Sequence, residues 1–124
     1  WNVAVVEPNT QNYENAYVVG LKDFAVATSG DYRNFFYYND KRYSHTISPK
    51  TGYPVEHSLT SATVFHKSCM HADALATAIM AMGERKGLNF ANENNLAVVL
   101  FVREDNNAFR ALLSDEAQKL LENK

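Results

Sequence analysis

The apolar positions change period partway along the chain, from strand-like alternation before residue 66 to helical spacing from Ala72. Trp1 to Glu7 alternates and stops at Pro8, predicting a strand, and Asn9 to Asn15 reads as a polar loop. Tyr17 to Leu21 and Phe24 to Thr28 predict a tight strand pair turned at Lys22-Asp23, after which Thr28-Ser29-Gly30-Asp31 predicts a break. Phe35 to Tyr38 and Arg42 to Ile47 flank Asn39-Asp40 and predict a hairpin rich in aromatic and β-branched residues. Pro49 to Pro54 predicts a loop, because both prolines lack a ladder donor and Gly52 tolerates a positive φ. Leu59 to Phe65 predicts the next strand.

Leu75, Ile79 and Met82 then fall at i, i+4 and i+7, with Ala72, Ala76 and Met80 beside them. This is an amphipathic helix, with Ser68 as its N-cap and its end near Gly83. A second helix is predicted over Glu84 to Asn94 and a buried central strand over Leu96 to Val102. Asp105-Asn106-Asn107 turns into a strand over Ala108 to Leu113, and Ser114-Asp115 opens a short helix with Leu120 and Leu121 inside. From Phe35 onward the order predicts an α+β sandwich: a two-layer antiparallel sheet with helices on one face, plus extra N-terminal strands. The 124 residues show no repeat or linker and are read as a single domain, 1–124.

Composition narrows the field. Apolar residues make up 46% and charged residues 21%, the balance of a globular chain. A net charge of −2 argues against a nucleic-acid surface, which needs a clustered basic field. No run is long and apolar enough for a membrane-spanning helix. The opening residue is Trp1, not methionine, as expected of a piece of a longer protein. Cys69, the single cysteine, excludes an internal disulfide and a Cys-based zinc site, and its expected role is a small buried hydrophobe.

Two features carry candidate chemistry. Asp73 and Thr77 stand four positions apart at the start of the predicted helix, so both leave one face a turn apart. A carboxylate with a neutral oxygen suits Mg²⁺, which takes few protein carboxylates and completes its octahedron with water and phosphate oxygens. First-turn N–H groups would favour the bridged anion. The same pair also has a structural reading: an acid favoured by the helix dipole and a threonine bonded back to a carbonyl. His45 supplies an imidazole for proton transfer, or a structural strand histidine. His57, His66 and His71 are read as non-catalytic. Thr28 to Arg33 could hold an anion or cap a hairpin, and the aromatic cluster Phe35, Phe36, Tyr37, Tyr38 and Tyr43 reads as sheet packing. No dinucleotide fingerprint or P-loop is present.

Assembled, these segments resemble the C-terminal part of the ApbE family of flavin transferases, formerly called thiamine-biosynthesis lipoproteins. Thr28-Ser29-Gly30-Asp31-Tyr32-Arg33 is similar to the family's TSG-x-YR segment. Ser44 to Pro54 is similar to its SH-x-I-DP-x-TG-x-P segment, and Ala72 to Thr77 with Met82-Gly83 to its ADA-x-x-T helix. Ser48 departs from the family's usual Asp, which is expected to change a loop hydrogen bond and leave the chemistry intact. The resemblance implies a T-fold-like unit of two strands, two helices and two strands.

It also implies a reaction: Mg²⁺-dependent transfer of FMN from FAD to a threonine hydroxyl of an acceptor flavoprotein, with release of AMP. By the same resemblance Asp73 and Thr77 would be metal ligands, His45 the base and an FAD contact, and Ile47 a further FAD contact. Alternatives within reach are Mg²⁺-dependent hydrolysis of FAD to FMN and AMP, and a non-catalytic flavin-binding module. The family's N-terminal half carries the lipoprotein signal, much of the flavin pocket and a further metal ligand. The parent is therefore expected at the periplasmic side of the inner membrane. The piece alone should be poorly active, with an apolar face that invites self-association.

Overall fold

The computed structural model describes residues 1–6, 16–30, 35–44, 46–53, 58–104 and 108–122. Its centre is a four-stranded antiparallel sheet in the order β3-β6-β7-β8. These strands are β3 (Ala25–Gly30), β6 (Leu59–His66), β7 (Ala97–Arg103) and β8 (Phe109–Leu113). Between β6 and β7 lie α1 (Cys69–Met82) and α2 (Glu84–Glu93), and α3 (Asp115–Glu122) follows β8. Two ribbons stand outside the sheet: β1 (Asn2–Val6) with β2 (Ala16–Gly20), and β4 (Phe35–Tyr38) with β5 (Lys41–Ser44).

Strand β7 shows why the sheet is buried on both faces. Val98, Leu100 and Val102 turn to one side, where they meet Ala72, Ala76, Ile79 and Met80 of α1 and Ala91 of α2. Ala97, Val99 and Phe101 turn to the other, against Val5 and Val19 of the β1-β2 ribbon and Ala117 of α3. A continuous apolar run is what a strand covered twice requires. Each fully buried aliphatic side chain contributes about 1.5–3 kcal/mol. A bulge between Leu59 and Ser61 turns Leu59 onto the helix face as well.

The α+β class expected from the sequence is the class observed. Helices α1 and α2 cover one face as predicted, while α3 packs on the opposite face beside β1 and β2. The hairpin at Asn39-Asp40 is also observed, with Tyr38 opposite Lys41. Both turn residues have positive φ, 50° and 62°, as a two-residue turn matched to strand twist demands. The packing expected of Phe35, Phe36, Tyr37 and Tyr43, and the turns at Asn9–Asn15 and Asp105–Asn107, fall outside the described residues.

Two strand expectations are corrected. Tyr17–Leu21 and Phe24–Thr28 do not pair across Lys22-Asp23. β2 folds back on β1, with Asn2 opposite Gly20, and β3 joins β6, with Ala25 opposite His66. Asp23, at a φ of 61°, marks where the chain changes layer. Nor does the chain break at Thr28. β3 runs on to Gly30 opposite Ser61, and the Thr28 and Thr63 hydroxyls meet across the pair at 2.7 Å. The unit that resembles two strands, two helices and two strands therefore starts with β3, and the β4-β5 ribbon lies between its first two strands in sequence.

Candidate functional site

Helix α1 begins where the sequence places it. The Ser68 hydroxyl accepts the His71 N–H at 3.3 Å, and the helix closes at Gly83, whose N–H donates to the Ile79 carbonyl at 3.1 Å. Gly83 has a φ of 87°, a conformation suited to glycine, and the chain turns there directly into α2. Ala72, Ala76, Ile79 and Met80 face the sheet, lying over β3 and β6. Because two of these four are alanines, the helix can approach the sheet closely.

Asp73 and Thr77 each follow one of those buried alanines and are exposed. Four positions of helix separate them, about 6 Å of rise and about 40° of rotation, so they share one face. Among the described residues, neither side chain is held by a hydrogen bond or ion pair. The back-bond that would make Thr77 purely structural is therefore absent from this set. A free carboxylate and a free hydroxyl on one face fit the donor chemistry of Mg²⁺. Among the described residues no group of three or more His, Cys, Asp or Glu residues is placed to hold a metal ion, so the other positions of an octahedron would be filled from outside this set.

One part of the expected electrostatics is corrected. Asp73 is the fifth residue of α1, in its second turn, and the first turn carries no acidic residue. The free N–H groups of the helix start are thus a turn away from it. Cys69 is corrected too: it is exposed at the first helical position, off the face that Ala72, Ala76, Ile79 and Met80 bury.

The segment around His45 is described only in part. His45 lies outside the described residues, as do Asp31, Tyr32 and Arg33 of the anion-binding candidate and His57. Thr46 is buried and Ile47 is 51% exposed, a large apolar side chain open to a neighbour. The loop that follows is built as predicted. The Gly52 N–H donates to the Ser48 carbonyl and the Ser48 N–H to the Tyr53 carbonyl, both at 2.9 Å, with Gly52 at a φ of 73°. The Ser48 hydroxyl accepts the Lys50 N–H at 3.3 Å, a bond that a carboxylate could also accept.

His66 and His71 look like a metal pair, with ring centroids 5.2 Å apart. They are not one. His66 Nδ1 accepts the Ser68 N–H at 2.9 Å, so the proton of the neutral ring sits on Nε2 and leaves no lone pair for a metal. Sequence alone does not show this contact, although a histidine two residues before a serine cap is a readable pattern once seen.

Fold and site together define an antiparallel α+β unit that displays an acid–alcohol pair on the outer side of its first helix. The chain belongs to the ApbE family, whose model matches residues 1–100. It is 45% identical to the FAD:protein FMN transferase of Haemophilus influenzae, covering 100% of this chain and 36% of that protein. It is 43% identical to the enzyme of the same name from Vibrio cholerae, covering 85% and 31% respectively. The crystal structure of the flavinyl transferase ApbE from Pseudomonas stutzeri in its apo form superposes with a TM-score of 0.85 at 38% identity, over 100% of this chain and 38% of that one. The chain thus spans about a third of the length of the curated relatives it matches.

Proposed function

We propose that this chain is the C-terminal part of an enzyme that moves FMN from FAD onto a threonine hydroxyl of an acceptor flavoprotein. The observation that carries the proposal is the unengaged Asp73–Thr77 pair on the outer face of α1, in a chain of the ApbE family. In the reaction the acceptor oxygen forms a bond to the FMN phosphorus, the pyrophosphate P–O bond breaks, and AMP leaves with the bridging oxygen.

Asp73 and Thr77 would hold Mg²⁺. When bound, that ion offsets the charge that builds on the pyrophosphate. Thr77, neutral, contributes an oxygen without adding to the negative charge that an anhydride substrate already brings. His45 takes the proton of the attacking hydroxyl, which is otherwise a poor nucleophile. Ile47 offers an apolar contact along the dinucleotide. The remaining two-thirds of the parent completes the flavin pocket and, as a periplasmic lipoprotein, places it at the inner membrane.

The test uses the complete parent with FAD, Mg²⁺ and a threonine-bearing acceptor peptide, followed by mass measurement of the peptide. A gain equal to one FMN supports transfer. AMP release without that gain assigns FAD hydrolysis instead. His45→Ala should lose turnover by about 10²–10⁴-fold while FAD binding persists. An unchanged rate removes His45 from the mechanism, and a parent that binds FAD without any turnover is a binding module.

A further inference from the structure

We propose that His66 is a positioning residue for the turn of α1 that carries Asp73 and Thr77, acting through Ser68. The inference rests on the reading of those two residues as cation ligands.

Only Lys67 and Ser68 separate the end of β6 from the start of α1, so the corner must be secured within two residues. His66 is anchored in the sheet, opposite Ala25 of β3. Its Nδ1 accepts the Ser68 N–H at 2.9 Å. Ser68 in turn serves the helix with both of its oxygens. Its hydroxyl accepts the His71 N–H at 3.3 Å and its carbonyl accepts the Ala72 N–H at 3.0 Å. Ala72 immediately precedes Asp73 and is fully buried against the sheet.

A side chain of the sheet thus fixes the cap, and the cap fixes the opening turns of the helix. A serine cap alone satisfies the helix but leaves the corner free to swing. A bond from the strand to the cap residue's own backbone removes that freedom. This matters here because α1 has no acidic residue in its first turn to hold its start by charge. It also gives His66 a use that is neither catalysis nor metal binding, consistent with its tautomer.

The experiment compares His66→Leu, which deletes the acceptor, with His66→Asn, whose side-chain oxygen can occupy the place of Nδ1. In the full ¹⁵N-labelled chain, amide exchange at Ala72 to Thr77 should quicken about fivefold in His66→Leu, the effect of one net hydrogen bond. It should return toward the wild-type value in His66→Asn. Exchange at Val98 to Leu100 of β7 should stay unchanged in both. A Mn²⁺ titration of the complete parent protein, followed by line broadening at Asp73, should weaken in His66→Leu in step with exchange and recover in His66→Asn.

Unchanged exchange in α1, an equal rise in β7, or failure of the asparagine to restore protection would each overturn the proposal. If wild type shows no Mn²⁺ effect while the exchange pattern holds, the brace stands and the cation reading of Asp73 and Thr77 falls.

Discussion

Helices α1 and α2 cover the same face of the same sheet, yet their outer surfaces differ. In α2, ten residues long, Arg85, Lys86, Asn89, Asn92 and Glu93 point to solvent around the buried Gly87 and Ala91. That surface is finished for water. In α1, fourteen residues long, the exposed positions are Cys69, Met70, His71, Asp73, Ala74 and Thr77. Asp73 is the helix's one acid, it holds no Lys or Arg, and Met70 is 73% exposed. The outer side of α1 therefore sets exposed Met70 and Ala74 beside His71, Asp73 and Thr77, and the proposed cation site rests on that mixed surface.

The largest effect should come from the side of α1 that resembles α2. Ile79 is fully buried, so Ile79→Ala should cost about 2–5 kcal/mol of stability in chemical denaturation. Met70→Ala, on the outer side, should change stability by less than about 0.5 kcal/mol. Equal losses would mean that the outer side is as structural as the inner one. Next is the cation. In the complete parent, Asp73→Asn should weaken Mn²⁺ binding on the order of a hundredfold, since even residues that only support a metal ligand matter tenfold to a hundredfold. Its melting temperature should barely move, because the side chain is exposed and unengaged.

The seam between the two helices gives a smaller effect. A methyl group added at Gly87 would stand 2.7 Å from Ile79 Cγ2, well inside contact distance. Gly87→Ala should therefore destabilise by about 1–3 kcal/mol despite alanine's better helix propensity. Replacing Ile79 with Leu removes the offending γ-methyl, so the double variant should lose less than the sum of the two single ones. Simple additivity in a denaturation cycle would show that the helices slide apart and do not interlock there.

Much of this architecture was readable from neighbouring residues. The Asn39-Asp40 turn, the Ser68 cap and the Gly83 stop each depend on groups a few positions apart, and the structure shows all three. The shared face of Asp73 and Thr77 follows from helical period alone. What sequence missed depends on distant partners. β2 and β3 look alike as apolar runs, and only β1 on one side and β6 on the other decide that they separate. Thr28 to Gly30 have turn-forming chemistry, yet Thr63 and Ser61, more than thirty residues on, hold them in the sheet. In sequence, Ser114 marks only the opening of α3. Its buried hydroxyl also accepts the Val98 N–H at 2.8 Å and donates to the Leu96 carbonyl at 2.6 Å, tying that helix to β7.

The smallest effect is also the sharpest test of the contrast between the helices. Ala74 and Asn89 are both exposed, one on each outer surface. A lysine at either should leave stability within about 0.5 kcal/mol, so the two variants would be indistinguishable by denaturation. They should separate in a Mn²⁺ titration. At about 7 Å in water, a unit charge repels a divalent ion by roughly 1 kcal/mol. Ala74→Lys, next to Asp73, should therefore weaken binding a few-fold at low salt, and raising the ionic strength should erase much of the difference. Asn89→Lys should leave the affinity near its original value, because neither ligand of the proposed site lies on α2. Equal weakening by both lysines would make the effect one of net charge, and the outer side of α1 would lose its claim to be a site.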